Sequence, residues 1–132
     1  MTPKEYIASL TDVYTHSGKF HADDVFAYAA LRMMGCTAKL HRVNQLPDNL
    51  GETALAFDIG EGKYDHHQKN RKSRSSGTPY ASFGLLVRDF YTLLDLSEAE
   101  YKELDRNFIR SLDAADNRYR IQYIQNEKMS PS

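Results

Sequence analysis

Hydrophobic and polar positions follow two different rhythms along this chain, and the change of rhythm marks its elements. Asp12-Val13-Tyr14-Thr15-His16 alternates with the period of a short β-strand, and Ser17-Gly18-Lys19 behind it reads as a turn. From 22 to 34 the spacing becomes helical. Phe26, Ala27, Ala30, Leu31 and Met34 fall on one face, and Gly35 supplies a stop. Asp23 and Asp24 occupy the first turn, where the helix dipole favours negative charge. An imperfect alternation predicts a second strand over 37–43, Pro47-Asp48-Asn49 marks a loop, and 54–59 reads as a buried strand ended by Gly60-Glu61-Gly62. The polar, basic, Ser-rich stretch 68–77 is the longest irregular one. A helix over 80–94 follows, and another opens at the capping box Ser97-Glu98-Ala99-Glu100. In the latter, Tyr101, Leu104, Phe108, Leu112 and Ala115 trace an apolar face, and beyond Asn117 the chain turns polar and frays. Strands alternating with helices predict an α/β fold, a short, mostly parallel sheet flanked on both faces by helices.

Composition narrows the class. A length of 132 residues supports a single domain over 1–132, and 41% hydrophobic residues suffice for a packed core. With 17 basic and 18 acidic residues the formal charge is −1, so no global field recruits nucleic acid or a membrane, and an anionic substrate must be held locally. The lone Cys36 fits a reducing compartment and reads as a buried small apolar residue. The first ten residues lack the apolar run of a signal peptide, and no stretch approaches the roughly 20 apolar residues of a membrane span. A cytoplasmic protein is the expectation.

Four short segments carry the candidate chemistry: His16-x4-His21-x-Asp23, Asp58 at the end of an apolar strand, Asp65-His66-His67, and Asp113-x2-Asp116. His16 and Asp58 each end a predicted buried strand, and open parallel sheets bind ligands outside that edge. Asp113 and Asp116 lie three apart, on one helix face. Mixed imidazole and carboxylate donors suit borderline-to-hard divalent ions, Mn2+ first, with Mg2+, Co2+ or Zn2+ also compatible. Three histidines and at least four aspartates exceed one tetrahedral site. Two ions sharing a carboxylate fit that count better, and such pairs clamp the attacking and leaving oxygens of a phosphoryl displacement.

These segments resemble a known family. Thr15-His16-Ser17-Gly18-Lys19-Phe20-His21-Ala22-Asp23, Asp58-Ile59-Gly60, Tyr64-Asp65-His66-His67-Gln68 and Leu112-Asp113-Ala114-Ala115-Asp116-Asn117 are similar to the successive motifs of the melanocyte proliferating gene family, within the DHH phosphoesterase superfamily. Tyr80-Ala81-Ser82-Phe83-Gly84-Leu85 resembles the family's helix after the third motif, so the likeness covers about Val13 to Asn117. The resemblance implies a manganese-type phosphoesterase, and for this family 3′–5′ exonuclease activity on RNA. It implies that His16 and His21 hold one metal, Asp23 the other, and that Asp58 bridges them. His66 would be a further ligand, His67 would contact the phosphate, Asp65 would orient a histidine, and Asp113 or Asp116, with Asp113 preferred, would complete the set. His21 stands where the wider superfamily has Asp, which is a mark of the family. Arg118 stands where the family typically has Gly. The family also carries a second domain after the fourth motif, which closes over the substrate, whereas this sequence stops soon after Asn117. A cover for the metals is therefore expected from the 68–77 loop, a second copy of the chain, or a separate partner. The expectation is a homodimer, with apolar residues of the 80–94 helix available for the contact and the basic loop contributing to the substrate site.

Lys69, Arg71, Lys72 and Arg74 form a basic run that reads either as a solvated loop or as a phosphate anchor for a nucleotide or short nucleic acid. His41 is expected to face solvent from a strand. The function so read is metal-dependent hydrolysis of a phosphodiester. The alternatives are a non-catalytic metal- or nucleotide-binding module and a pyrophosphatase-like hydrolase of small phosphates.

Overall fold

The computed structural model describes residues 1–67 and 72–119. Helix α1 (Pro3–Ser9) opens the chain, held at its start by a capping box between Thr2 and Glu5. Strand β1 (Asp12–His16) leads through α2 (Ala22–Met33) to β2 (Lys39–Val43), then to the short β3 (Ala54–Ala56). Both outer strands pair parallel with β1, giving the order β2-β1-β3. Helices α3 (Ser82–Phe90), α4 (Glu98–Leu104) and α5 (Arg110–Asp116) follow. No helix among the described residues is long and apolar enough to cross a membrane.

The two sides of the sheet are unequally buried. Val13, Thr15, Leu55 and Phe57 are buried and join a core with Ile7, Leu31, Leu86, Val87 and Ile109, whereas Asp12, Tyr14, Ala54 and Ala56 stay half-buried. Cys36 is buried in the core. His41 departs from the expected solvent-facing role, because its Nε2 lies 2.7 Å from Asp12 Oδ1 and its ring stacks on Tyr14 at 4.6 Å.

Two elements differ from the sequence expectation. Strand β3 is three residues long, not six, because Asp58 turns the backbone to φ +60° and Phe57 instead bridges Tyr64. The last predicted helix is split by a π-helical turn over Asp105–Ile109. A π turn inserts one residue, which rotates everything after it by about 100° relative to a regular helix. Hence Phe108 and Ala115, predicted to face inward, are exposed, while Ile109, Asp113 and Ala114 are buried.

Helix α3 is buried almost all round, and its N-cap, Ala81, has no side chain with which to cap it. Carboxylates from two other helices take its free N–H groups. The Phe83 N–H donates to Asp23 Oδ1 at 2.8 Å and the Gly84 N–H to Asp113 Oδ1 at 3.2 Å. This draws α2, α3 and α5 together at the carboxyl edge of the sheet. A Cβ on Gly84 would overlap Asp113 Oδ2 and lie 3.0 Å from the Arg74 guanidinium. Gly84→Ala is therefore expected to destabilise the fold by about 2–3 kcal/mol, measured by urea denaturation.

Candidate metal centre

His16 ends β1 and Asp58 follows β3, so both project from the carboxyl edge of the sheet, with His21 and Asp23 at the start of α2 beside them. Asp58 is 3% exposed and lies between two sets of histidines. Its Oδ2 is 3.0 Å from His16 Nε2, while its Oδ1 is 3.5 Å from His66 Nδ1 and 3.3 Å from His67 Nδ1. One set of ligand-type atoms comprises Asp58, His66, His67 and Asp116, and the other comprises His16, His21 and Asp24. Asp23 Oδ2 approaches His66 Nδ1 at 3.9 Å, and Asp116 Oδ2 lies against His66 Nε2.

The inner atoms of this cluster face one another. His16 Nδ1 lies 3.0 Å from the Ser17 carbonyl, to which only a protonated nitrogen can donate, so in the neutral ring it is Nε2 that carries the lone pair. That Nε2 faces Asp58 and also Asp24, whose Oδ2 is 3.0 Å away. His16 Nε2, Asp23 Oδ2, both carboxylate oxygens of Asp58 and His66 Nε2 are buried, and their polar neighbours are the other imidazoles and carboxylates of the cluster. Acceptors converging on acceptors require a positive charge between them, a proton or a metal ion.

The electrostatics follow the same pattern. Burial first, then the charges of Asp58 and Asp116, push the Asp23 carboxyl up to about 8 against the pull of the Phe83 N–H. Burial likewise raises Asp58, outweighing its histidine neighbours. Burial opposes the charging of His16 and His66, but the Ser17 carbonyl with Asp58 and Asp24 raises the former, and Asp116 with Asp23 raises the latter. Without an ion, these groups can relieve their repulsion only by holding protons. Oxygen and imidazole donors in such a set are the chemistry of a borderline divalent cation, so the residues fit one.

Support for the ligands comes from neighbouring side chains. The Ser82 hydroxyl donates to the Tyr64 carbonyl at 2.6 Å and sits 3.4 Å from His66 Nδ1. Asp65 accepts from the Glu61 and His67 N–H groups at 2.8 and 3.0 Å, and its Oδ1 lies 2.9 Å from His67 Nδ1. These bonds hold the Asp65 carboxyl below the usual range although its burial acts to raise it. His67 alone of the Asp-His-His run is open, with 59% of its side chain exposed.

Not every candidate reaches the cluster. Asp113 turns to the start of α3 and to Arg74, and burial lifts its carboxyl to about 6 despite that cation. Of the two α5 aspartates it is Asp116 that meets His66, not Asp113 as preferred from the sequence, because Asp113 is taken up by the start of α3 and by Arg74. Arg74 departs from its expected place on a phosphate-binding loop. Its side chain is 6% exposed, its Nε and one terminal nitrogen fork onto Asp105 at 2.8 and 2.6 Å, and that same terminal nitrogen reaches Asp113 at 2.7 Å. The guanidinium also lies 4.2 Å from the centre of the Tyr80 ring. Lys72 is exposed, and Lys69 and Arg71 fall outside the described residues. Asp24 and Ser82 were not singled out from the sequence as site residues. Asp24 read from the sequence as a first-turn carboxylate favoured by the helix dipole; its Oδ2 does accept from the His21 N–H at 2.9 Å, and the same oxygen also lies 3.0 Å from His16 Nε2.

A family model named for MYG1 exonuclease, described as "Uncharacterised protein family (UPF0160)", matches residues 12–131. The chain belongs to this family. It is 31% identical over 130 residues to the MYG1 exonuclease of Homo sapiens, covering 78% of this chain and 34% of that protein. Against the MYG1 exonuclease of Bos taurus it is 29% identical over 142 residues, 87% of this chain and 37% of the relative. The MYG1 protein of Chlamydia trachomatis serovar D is 30% identical over 113 residues, with 80% and 37% covered. The chain thus spans a little over a third of the length of these relatives. No solved structure matches it significantly. Membership agrees with the resemblance read from the motifs, and the α/β fold with its parallel sheet agrees with the architecture expected.

Proposed function

We propose that the chain carries a binuclear divalent-metal centre that hydrolyses a phosphodiester in a nucleotide or short nucleic acid. The observation that carries this reading is the position of Asp58, a buried carboxylate whose two oxygens face two separate sets of metal-type donors. His16, His21 and Asp24 would hold one ion, and Asp23, His66 and Asp116 the other, with Asp58 shared. Mn2+ suits the donor set best. When bound, such ions neutralise charge on the phosphoryl oxygens and acidify water.

The protein's own part is positioning. Asp65 fixes the His67 ring through Nδ1, which leaves Nε2 to meet a phosphate oxygen from the open side of the site. Ser82 keeps the His66 ring turned into the cluster. The names of the relatives, MYG1 exonuclease, support a nucleic-acid substrate. A cover over the cleft, from the 68–77 loop, a second copy of the chain or a separate partner, belongs to this reading, because a phosphoryl transfer needs its water controlled.

The test is Mn2+-dependent turnover of mono-, di- and oligonucleotides by the wild type and by His67→Ala. The variant is expected to keep its metal and lose about 100-fold in turnover, the scale of one positioned electrostatic or acid–base group. Loss of metal in proportion to activity would make His67 a ligand instead. Full metal loading without turnover on any of these substrates would favour the non-catalytic module.

A further inference from the structure

Helix α5 ends in a Schellman arrangement. The Tyr119 N–H donates to the Ala114 carbonyl at 2.7 Å and the Arg118 N–H to the Ala115 carbonyl at 3.1 Å. This ending requires a left-handed residue at position 118, and Arg118 has φ +54°. Glycine is the usual occupant, because a Cβ strains the backbone there. The chain instead places an exposed arginine at the strained position. Non-glycine residues in this region persist where something other than local stability retains them.

The location suggests what that is. Arg118 lines a cleft of about 350 Å3 together with His21, Asp23, Leu112 and Asp116. That volume falls at the small end of ligand pockets and suits a phosphate with its sugar. Asp23 and Asp116 belong both to this cleft and to the metal cluster, so Arg118 borders the same opening as the donors that would hold the ions. Unlike Arg74, Arg118 enters no ion pair with another described residue. Arginine matches phosphate oxygens with two parallel N–H groups.

We propose that Arg118 is a substrate-binding residue whose guanidinium takes the unesterified oxygens of the phosphate at the metal centre. The proposal rests on the phosphoesterase reading and names a residue that the four sequence motifs do not include. A simpler role, a cation complementing the helix C-terminus, makes different predictions, because it would only add stability.

The experiment compares wild type, Arg118→Gly and Arg118→Lys. Three quantities are measured: the melting temperature without metal, Mn2+ affinity, and the affinity of the Mn2+-loaded protein for inorganic phosphate by calorimetry. Arg118→Gly relieves the backbone strain, so its melting temperature is expected to rise by about 3 °C. Its Mn2+ affinity should be equal or tighter, since a cation beside the site has gone. Its phosphate affinity should fall by about 10-fold or more, the scale of a charge-assisted hydrogen bond. Arg118→Lys keeps charge and strain, and should retain the wild-type melting temperature and much of the phosphate affinity. Unchanged phosphate affinity in Arg118→Gly, with Mn2+ bound, overturns the assignment of Arg118 alone. A lower melting temperature with unchanged phosphate affinity returns it to the helix-end role. A wild type that binds no Mn2+ brings down the metal reading and this proposal together.

Discussion

Replacing Asp58 by Asn is expected to remove metal binding and activity together while leaving the fold intact. The substitution keeps the size and shape of the side chain, and Asn is among the few residues that tolerate the φ of +60° at this position. What changes is charge. Both oxygens of Asp58 face histidines of different sets, so one substitution weakens both halves of the centre. Loss of a residue that merely supports a ligand lowers metal affinity by about 10–100-fold, and loss of a shared carboxylate should exceed 100-fold. Stability without metal should move the other way. The fold raises the Asp58 pKa, so the protonated carboxyl contributes stability that is fully present below the ordinary carboxylate range and is lost as pH rises through the shifted value. At neutral pH the metal-free variant should therefore melt no lower than wild type. The wild type alone should gain melting temperature from Mn2+. Equal gains in both proteins would remove Asp58 from the centre.

Arg74→Ala is expected to be the most destabilising single substitution considered, at about 3–5 kcal/mol, the usual cost of removing one partner from a buried ion pair. The side chain is 6% exposed and that of Asp113 is fully buried, so the variant strands a carboxylate with little access to water. Against a typical total of about 5–15 kcal/mol, such a loss brings much of the protein near unfolding at 37 °C. Asp113→Asn in the same chain should recover part of the loss, because the stranded charge is then gone. Urea denaturation of the single and double variants measures both effects. A change within about 0.5 kcal/mol in Arg74→Ala, accompanied by weaker nucleotide binding, would instead return this arginine to the surface role read from the sequence.

That role was misread for a physical reason. The run from Lys69 to Arg74 is uniform as a string of cations, and nothing in its spacing distinguishes the side chain that turns inward. The partners of Arg74, at Asp105 and Asp113, lie 31 and 39 residues away, and only the packing of α5 against α3 brings them close. Asp113 and Asp116 presented a similar problem. Both sit on the same side of α5 by helical spacing, yet one caps α3 and the other meets His66. The π turn that orients α5 left no trace in an apolar pattern that read as one regular helix. By contrast, His16 and Asp58 were legible because each follows a short apolar strand, and parallel pairing of β1 with β3 carries the two strand ends to one edge. Helix α2 was legible to within one residue of its end. Asp23 and Asp24 were read as first-turn carboxylates, which is true of their backbone position. Their burial beside histidines depends on α3 and β1, which local sequence does not report.

The most direct test of the central claim is the electron paramagnetic resonance spectrum of the wild-type protein loaded with Mn2+, with the bound metal counted in the same sample. Two ions per chain with an exchange-coupled spectrum are expected, because a carboxylate shared between ions couples their spins. No retained Mn2+, or two ions with uncoupled spectra, would contradict a centre built around Asp58.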